Sequence, residues 1–228
     1  MTGNDDRGQA EIVATYDAVA ERYAAEFADD LAEKILDRAL LSALAEMLRR
    51  AGVENKIADL GCGPGFEARF MAELGLEVVG VDLSPAMIAE AQRRHAGVRG
   101  LEFKIGSLLA LPFAEASLAG AIAIYSVIHL ERAARALAYV EMARVVRQGG
   151  MLLLSVHTSA LGFPSGSIRR LEEWWGRRVG LDGHFIAAEE VAGGLEQAGF
   201  EIAARLERGP STSREFPSQR VYLLARRR

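Results

Sequence analysis

The stretch that most constrains this chain is Ile57-Ala58-Asp59-Leu60-Gly61-Cys62-Gly63-Pro64-Gly65. A short apolar run closes on an acid, three glycines follow at alternate positions, and helix formers continue from Glu67 to Leu74. That order predicts a buried strand, a tight turn and a helix. Glycines at 61, 63 and 65 remove the Cβ atoms that would hold a ligand away, and they permit positive φ. Backbone N–H groups at the start of the helix are expected to point into the same space, where negative charge is favoured. The turn is therefore expected to cradle a ligand. It departs from the dinucleotide fingerprint G-x-G-x-x-G, because the sixth position is Phe66 and the third glycine comes one residue early.

Downstream, Glu77-Val78-Val79-Gly80-Val81-Asp82 predicts a second apolar strand ending in an acid, a position suited to accepting hydrogen bonds from two ribose hydroxyls. Together the two segments closely resemble the first two motifs of the class I S-adenosylmethionine-dependent methyltransferases, and the resemblance continues in order from about residue 16 to the C-terminus. It implies that Asp59, Gly61, Cys62, Gly63 and Gly65 form the turn around the methionine part of S-adenosyl-L-methionine, with Asp82 on the ribose. After Asp82, Ser84 is a good N-cap and Pro85 a good first helical residue. The resemblance places Leu83 and Met87 beside the adenine. Most relatives carry Asp where this chain has Ser107; a hydroxyl accepts from the adenine amino group more weakly, and Leu108 would add its backbone.

Composition narrows the partners. The 228 residues suit one domain, half apolar and a quarter charged, with net charge −4. An acidic balance argues against nucleic acid, which would want a basic face. The single Cys62 excludes an internal disulfide and any CxxC metal pair, so no metal is expected. No signal sequence and no apolar run near the length of a membrane span is read, so a cytoplasmic enzyme without a membrane partner is expected.

Other segments carry candidate chemistry. Val13, Tyr16, Val19, Tyr23 and Phe27 recur at helical spacing. The resemblance makes this a lid helix, with Tyr16 and Tyr23 closing over a sulfonium by cation–π attraction. A second helix is read from Leu31 to Ala51. Leu101–Ile105 predicts a third strand, and the apolar run Leu118–Ile124 a buried fourth. Ile124 and Tyr125, at its end, should face the transferring methyl. No N-P-P-Y or D-P-P-Y follows, and no acid. His129 is the candidate general base, joined by His157 and His184. A helix over 133–147, the run Arg147-Gln148-Gly149-Gly150 and a fifth strand over 151–156 complete the core. Then comes a turn-rich insertion bearing Trp174, Trp175, His184 and Phe185, the candidate substrate pocket. A final helix over 189–198 precedes strands over 200–206 and 219–225, joined by a polar connection whose Arg214 is a candidate for an anionic substrate.

The expected fold is α/β: a doubly wound, seven-stranded, mostly parallel sheet, ordered 3-2-1-4-5-7-6 by the resemblance. The N-terminal helical lid is read as 1–52, the cofactor core as 53–157, the cap insertion as 158–187 and the closing helix and strands as 188–228. The expected activity is methyl transfer from S-adenosyl-L-methionine to O, N or C of a small-molecule acceptor, by a monomer or homodimer. A cofactor-binding protein without transfer, or a methyltransferase of tRNA or protein, is the alternative.

Overall fold

The computed structural model describes residues 3–52 and 56–228. Helices α1 (Gly3–Glu26), α2 (Asp30–Glu33) and α3 (Ile35–Arg50) precede β1 (Lys56–Leu60). Then follow α4 (Phe66–Glu73), β2 (Glu77–Asp82), α5 (Pro85–Arg94), β3 (Leu101–Ile105) and β4 (Leu118–Ile124). After a 3₁₀ turn at Val127–His129 come α6 (Arg132–Val145), β5 (Val146–Ala160), the strands β6 (Ile168–Trp174) and β7 (Arg177–His184), α7 (Ala188–Gln197), β8 (Phe200–Arg208) and β9 (Ser218–Arg227).

The main sheet has seven strands in the order β3-β2-β1-β4-β5-β9-β8. The first five are parallel, and β9 runs antiparallel between β5 and β8. With the β6–β7 pair set aside, this is the expected order. Parallel strands are covered on both faces, which is why β4 reads as an unbroken apolar run. One face packs on α6 and α7 through Tyr139, Met142, Val191 and Leu195; the other packs on α3 and α4 through Leu41, Leu44, Leu48 and Met71. Truncating any of these large aliphatic side chains to Ala is worth about 2–5 kcal/mol of stability.

Three expectations change. The helix read over Leu31–Ala51 is two helices, broken at Lys34 (ψ 75°). The helix read to residue 147 ends at Val145, where Val146 turns extended and β5 begins directly. The turn-rich insertion holds a second, two-stranded sheet, β6 with β7. Its turn residues are Trp175 and Gly176, both at positive φ (52° and 78°). Positive φ at both central residues is the requirement of a type I′ hairpin.

Candidate active site

The carboxyl ends of β1, β2 and β4, the lid helix α1 and the β6–β7 hairpin enclose a cavity of about 660 Å³. That volume lies in the range of small-molecule sites. The glycine turn forms part of its wall. Gly61 (φ 78°) has its back to Ser126, whose Cβ would lie 2.3 Å from any Cβ added there. Gly63 (φ 50°) faces open space, so a side chain there would project into the cavity. Gly65 lies below the turn against Phe103 and His95, and Asp59 is buried beneath it; neither lines the cavity.

The helix N-terminus is not free for an anion. Ala68 N–H donates to the Asp59 carboxylate and Glu67 N–H to its own carboxylate. Both carboxyls are pushed up, chiefly by burial. Asp59 Oδ2 has no partner among the described residues, and neither has Ser126 Oγ, which lines the cavity. Two buried acids beside the helix start make this corner fit a cationic group better than a phosphate. Sequence reasoning treated Glu67 only as a helix former; its place in the first turn beside an unpaired strand acid was the available signal.

Asp82 lies at the tip of β2. Its Oδ2 accepts Gly63 N–H at 2.8 Å and its Oδ1 accepts Ser84 N–H at 2.8 Å. Leu83 N–H also favours its charge, so of a carboxylate's roughly four acceptor sites about one is left for a ligand. Leu83, Met87 and Leu108 line the adjoining wall. Ser107 does as well, but its hydroxyl is already engaged: Oγ donates to Gln9 Oε1 at 2.6 Å and accepts Leu109 N–H at 3.1 Å. Gln9, from the lid, was not foreseen. Cys62 lines the cavity with a buried thiol pushed up by burial and the nearby Asp59, the opposite of an activated nucleophile.

The lid is pinned along its length. Asp17 accepts from Ser84 Oγ (2.5 Å) and Ala86 N–H (3.1 Å), sealing the start of α5. Tyr16 and Tyr23 both line the cavity. His129 Nδ1 lies 2.8 Å from Asp182 carbonyl, which can only accept, so Nδ1 carries the proton. Nε2 is then an acceptor and takes the Tyr16 hydroxyl at 2.8 Å. Burial lowers His129 to about 4, so its ring is neutral. The lone pair a general base needs is occupied by the lid tyrosine.

Beyond Tyr125 the wall turns aromatic. Tyr125 itself, at the end of β4, sits at φ 53°, a costly conformation that clusters at functional sites. Its ring stacks on His157 (4.4 Å, 9°), which in turn meets Phe216. Burial and then Arg220 depress His157 to about 3. His184 and Phe185 line the cavity, as do Ile124 and Trp174. Trp175 does not; it lies outside against Phe27 and under the Arg22 guanidinium. Arg214 lines the edge and is paired with Glu33 at 3.4 Å. Among the described residues, no group of three or more His, Cys, Asp or Glu side chains could hold a metal ion, and no helix is long and apolar enough to cross a membrane.

Comparison with known proteins agrees with this geometry. A family described as a methyltransferase domain matches residues 57–150. The chain is 30% identical over 150 residues to a demethylmenaquinone methyltransferase of Beutenbergia cavernae, covering 66% of this chain and 59% of that protein. It is 32% identical over 152 residues to a malonyl-[acyl-carrier protein] O-methyltransferase of Herminiimonas arsenicoxydans, covering 64% and 52%. The chain thus spans between half and three-fifths of the length of these two relatives. In fold it resembles the magnesium protoporphyrin IX methyltransferase of Synechocystis PCC 6803, solved with its bound cofactor: TM-score 0.70, 17% identity, 97% of each chain covered.

Proposed function

We propose that this chain, a member of the class I S-adenosylmethionine-dependent methyltransferases, transfers the methyl group of S-adenosyl-L-methionine to a small-molecule acceptor. The observation that carries the reading is the pairing of the two strand tips. A glycine turn whose helix start is taken up by Asp59 and Glu67 suits a cationic amino-acid tail, and Asp82 beside it suits ribose hydroxyls. The named activities of the relatives support a small-molecule acceptor.

The donor, when bound, supplies a methyl group activated by the positive charge on sulfur. What the protein adds is placement. Leu83 and Met87 would flank the adenine, and the Gln9 amide oxygen, held by Ser107, would accept from it. Ser126 and Glu67 receive the amino-acid tail. Tyr16 and Tyr23 turn electron-rich rings toward the cation, an attraction of about 0.5–2 kcal/mol. The lid and the hairpin exclude water.

His129 acts on the acceptor through Tyr16. An acceptor proton reaches Nε2 only by way of the Tyr16 hydroxyl, which takes that proton as it passes its own to the ring. His129 therefore positions Tyr16 in every case and receives a proton only when the acceptor gives one up. A carboxylate or carbanion acceptor needs neither step. Calorimetric titration with S-adenosyl-L-methionine, S-adenosylhomocysteine and NAD tests the ligand class: the first two should bind and NAD should not. A labelled-methyl screen against small-molecule extracts tests transfer; binding without any labelled product would leave a cofactor-binding protein instead.

A further inference from the structure

The aromatic half of the cavity carries a guanidinium that has no ion-pair partner among the described residues, that of Arg169. Its neighbour on the strand, Arg170, is bound to Glu11 at 2.9 Å and Asp182 at 3.2 Å. Strand alternation sends Arg169 and Leu171 to the cavity side and Arg170 away. The irregularity between Leu171 and Glu173 then brings Trp174, not Glu173, into the wall, so no acid of β6 faces Arg169 from within the cavity.

Arg169 is an exposed residue at the cavity rim whose guanidinium rests on rings. Its guanidinium carbon lies 5.3 Å over the Phe216 ring and 6.0 Å over Phe163. A guanidinium resting on rings keeps its N–H donors at its edge, in the fork that matches a carboxylate. From Phe216 the aromatic surface continues through His157 to Tyr125. Glu215, the residue before Phe216 in the chain and also in the cavity wall, is spent: Oε1 meets Arg208 (2.8 Å) and Arg220 (3.1 Å), while Oε2 meets Arg208 (2.8 Å) and Ser211 N–H (2.6 Å). Arg220 is 2% exposed, lines the same wall, and its Nε has no partner among the described residues.

We infer that the acceptor is a planar aromatic or conjugated acid whose carboxylate is received by Arg169 and whose ring lies along Phe216, His157 and Tyr125. This rests on the methyltransferase reading and adds the acceptor's chemical class and a specificity residue. Cationic amines are excluded from this half by the same charges.

The experiment separates the two claims. Titration of S-adenosylhomocysteine into the full chain comes first; no binding overturns the cofactor reading, and this inference with it. The saturated protein is then titrated with 2-naphthoate and with its uncharged analogue 2-naphthamide at fixed salt. The acid should bind at least tenfold tighter than the amide. Arg169→Gln should bring the two within twofold while leaving S-adenosylhomocysteine affinity unchanged, and Arg169→Lys should restore the preference only in part. With the cofactor product bound, three results overturn the assignment: no naphthoate binding, equal affinities in the unaltered protein, or a preference that survives Arg169→Gln.

Discussion

Gly61 and Gly63 sit two residues apart in one turn, yet substitution should separate folding from binding. At Gly61 a methyl group would meet Ser126 Cβ at 2.3 Å, an atom fixed to backbone, at φ 78°. Gly61→Ala is expected to cost several kcal/mol, with strain and overpacking adding. At Gly63 nothing lies within 4 Å, so Gly63→Ala should cost only about 1–2 kcal/mol of backbone strain. Its methyl would occupy ligand space, and S-adenosylhomocysteine affinity should fall at least tenfold. Thermal melts alongside calorimetry distinguish the two. Asp82→Asn should also weaken that ligand about tenfold, since an amide keeps the shape but accepts fewer hydrogen bonds. His129 gives a pH signature. Its folded value is about 4 against 6.5 unfolded, so between those values the unfolded chain binds the extra proton. Stability is then lost as pH falls from about 6.5 toward 4, at about 1.4 kcal/mol per pH unit. Denaturant titrations at pH 6.0 and 5.0 should show that slope in the parent relative to His129→Gln; equal slopes would refute the assignment.

At the scale of elements, the lid α1 is fastened by an apolar seam of Val19, Ala20 and Ala24, by the Tyr16–Tyr23–Trp174 ring contacts, and by a few polar contacts. The Tyr16–His129 bond, the Asp17 contacts with α5 and the Ser107–Gln9 bond lie along successive turns of one helix. Tyr16→Phe removes one donor and leaves a buried imidazole nitrogen unsatisfied, about 1–3 kcal/mol. Because α1 is a peripheral element, the loss should appear as local opening: faster amide exchange over residues 8–26, with the β1–β4 amides unchanged. The sheet itself was legible because apolar runs of strand length and one glycine turn are local signals, as at Leu118–Ile124. The hairpin was not. Arg169, Arg170, Glu172, Glu173, Arg177 and Arg178 hide the apolar alternation, since all six are exposed along the ribbon. Its turn is Trp175-Gly176 in place of the usual Asn-Gly, so the strongest short-range hairpin signal is missing. Trp174 and Phe185 line the cavity and Trp175 does not; the sequence predicts that of two adjacent tryptophans one anchors the segment and one lines the site, without saying which.

Across the whole molecule, the least legible feature joins residues far apart in sequence. Arg208 on β8 meets Asp37 on α3 at 2.7 Å, 171 residues away, and Glu215 at 2.8 Å; Glu215 also meets Arg220 on β9. Their side chains are all at most 8% exposed. Nothing local in the sequence pairs these charges, because only the closed sheet brings Asp37, Arg208, Glu215 and Arg220 together. Burial opposes the charge on Glu215, yet the Arg208 hydrogen bonds and Ser211 N–H hold it down to about 2. The contribution is therefore full above an unfolded value near 4.5 and lost as pH falls toward 2, in a window below that of the histidines. Breaking such a pair by removing one partner costs about 3–5 kcal/mol; without Glu215 the buried Arg220 loses its counter-charge and Arg208 keeps only Asp37. In a chain of this size that is a fall in Tm on the order of 10 °C. Glu215→Gln should show it at pH 7, and the difference from the parent should shrink as pH falls from 4.5. The network also backs the wall on which Arg220 stands, so the same variant tests whether the fold and the acceptor pocket are coupled. If they are, Glu215→Gln at a temperature where it remains folded will bind 2-naphthoate more tightly than the parent, because one fewer carboxylate competes for the cationic wall, while S-adenosylhomocysteine affinity stays within twofold. Unchanged naphthoate affinity would mean that the network serves stability alone.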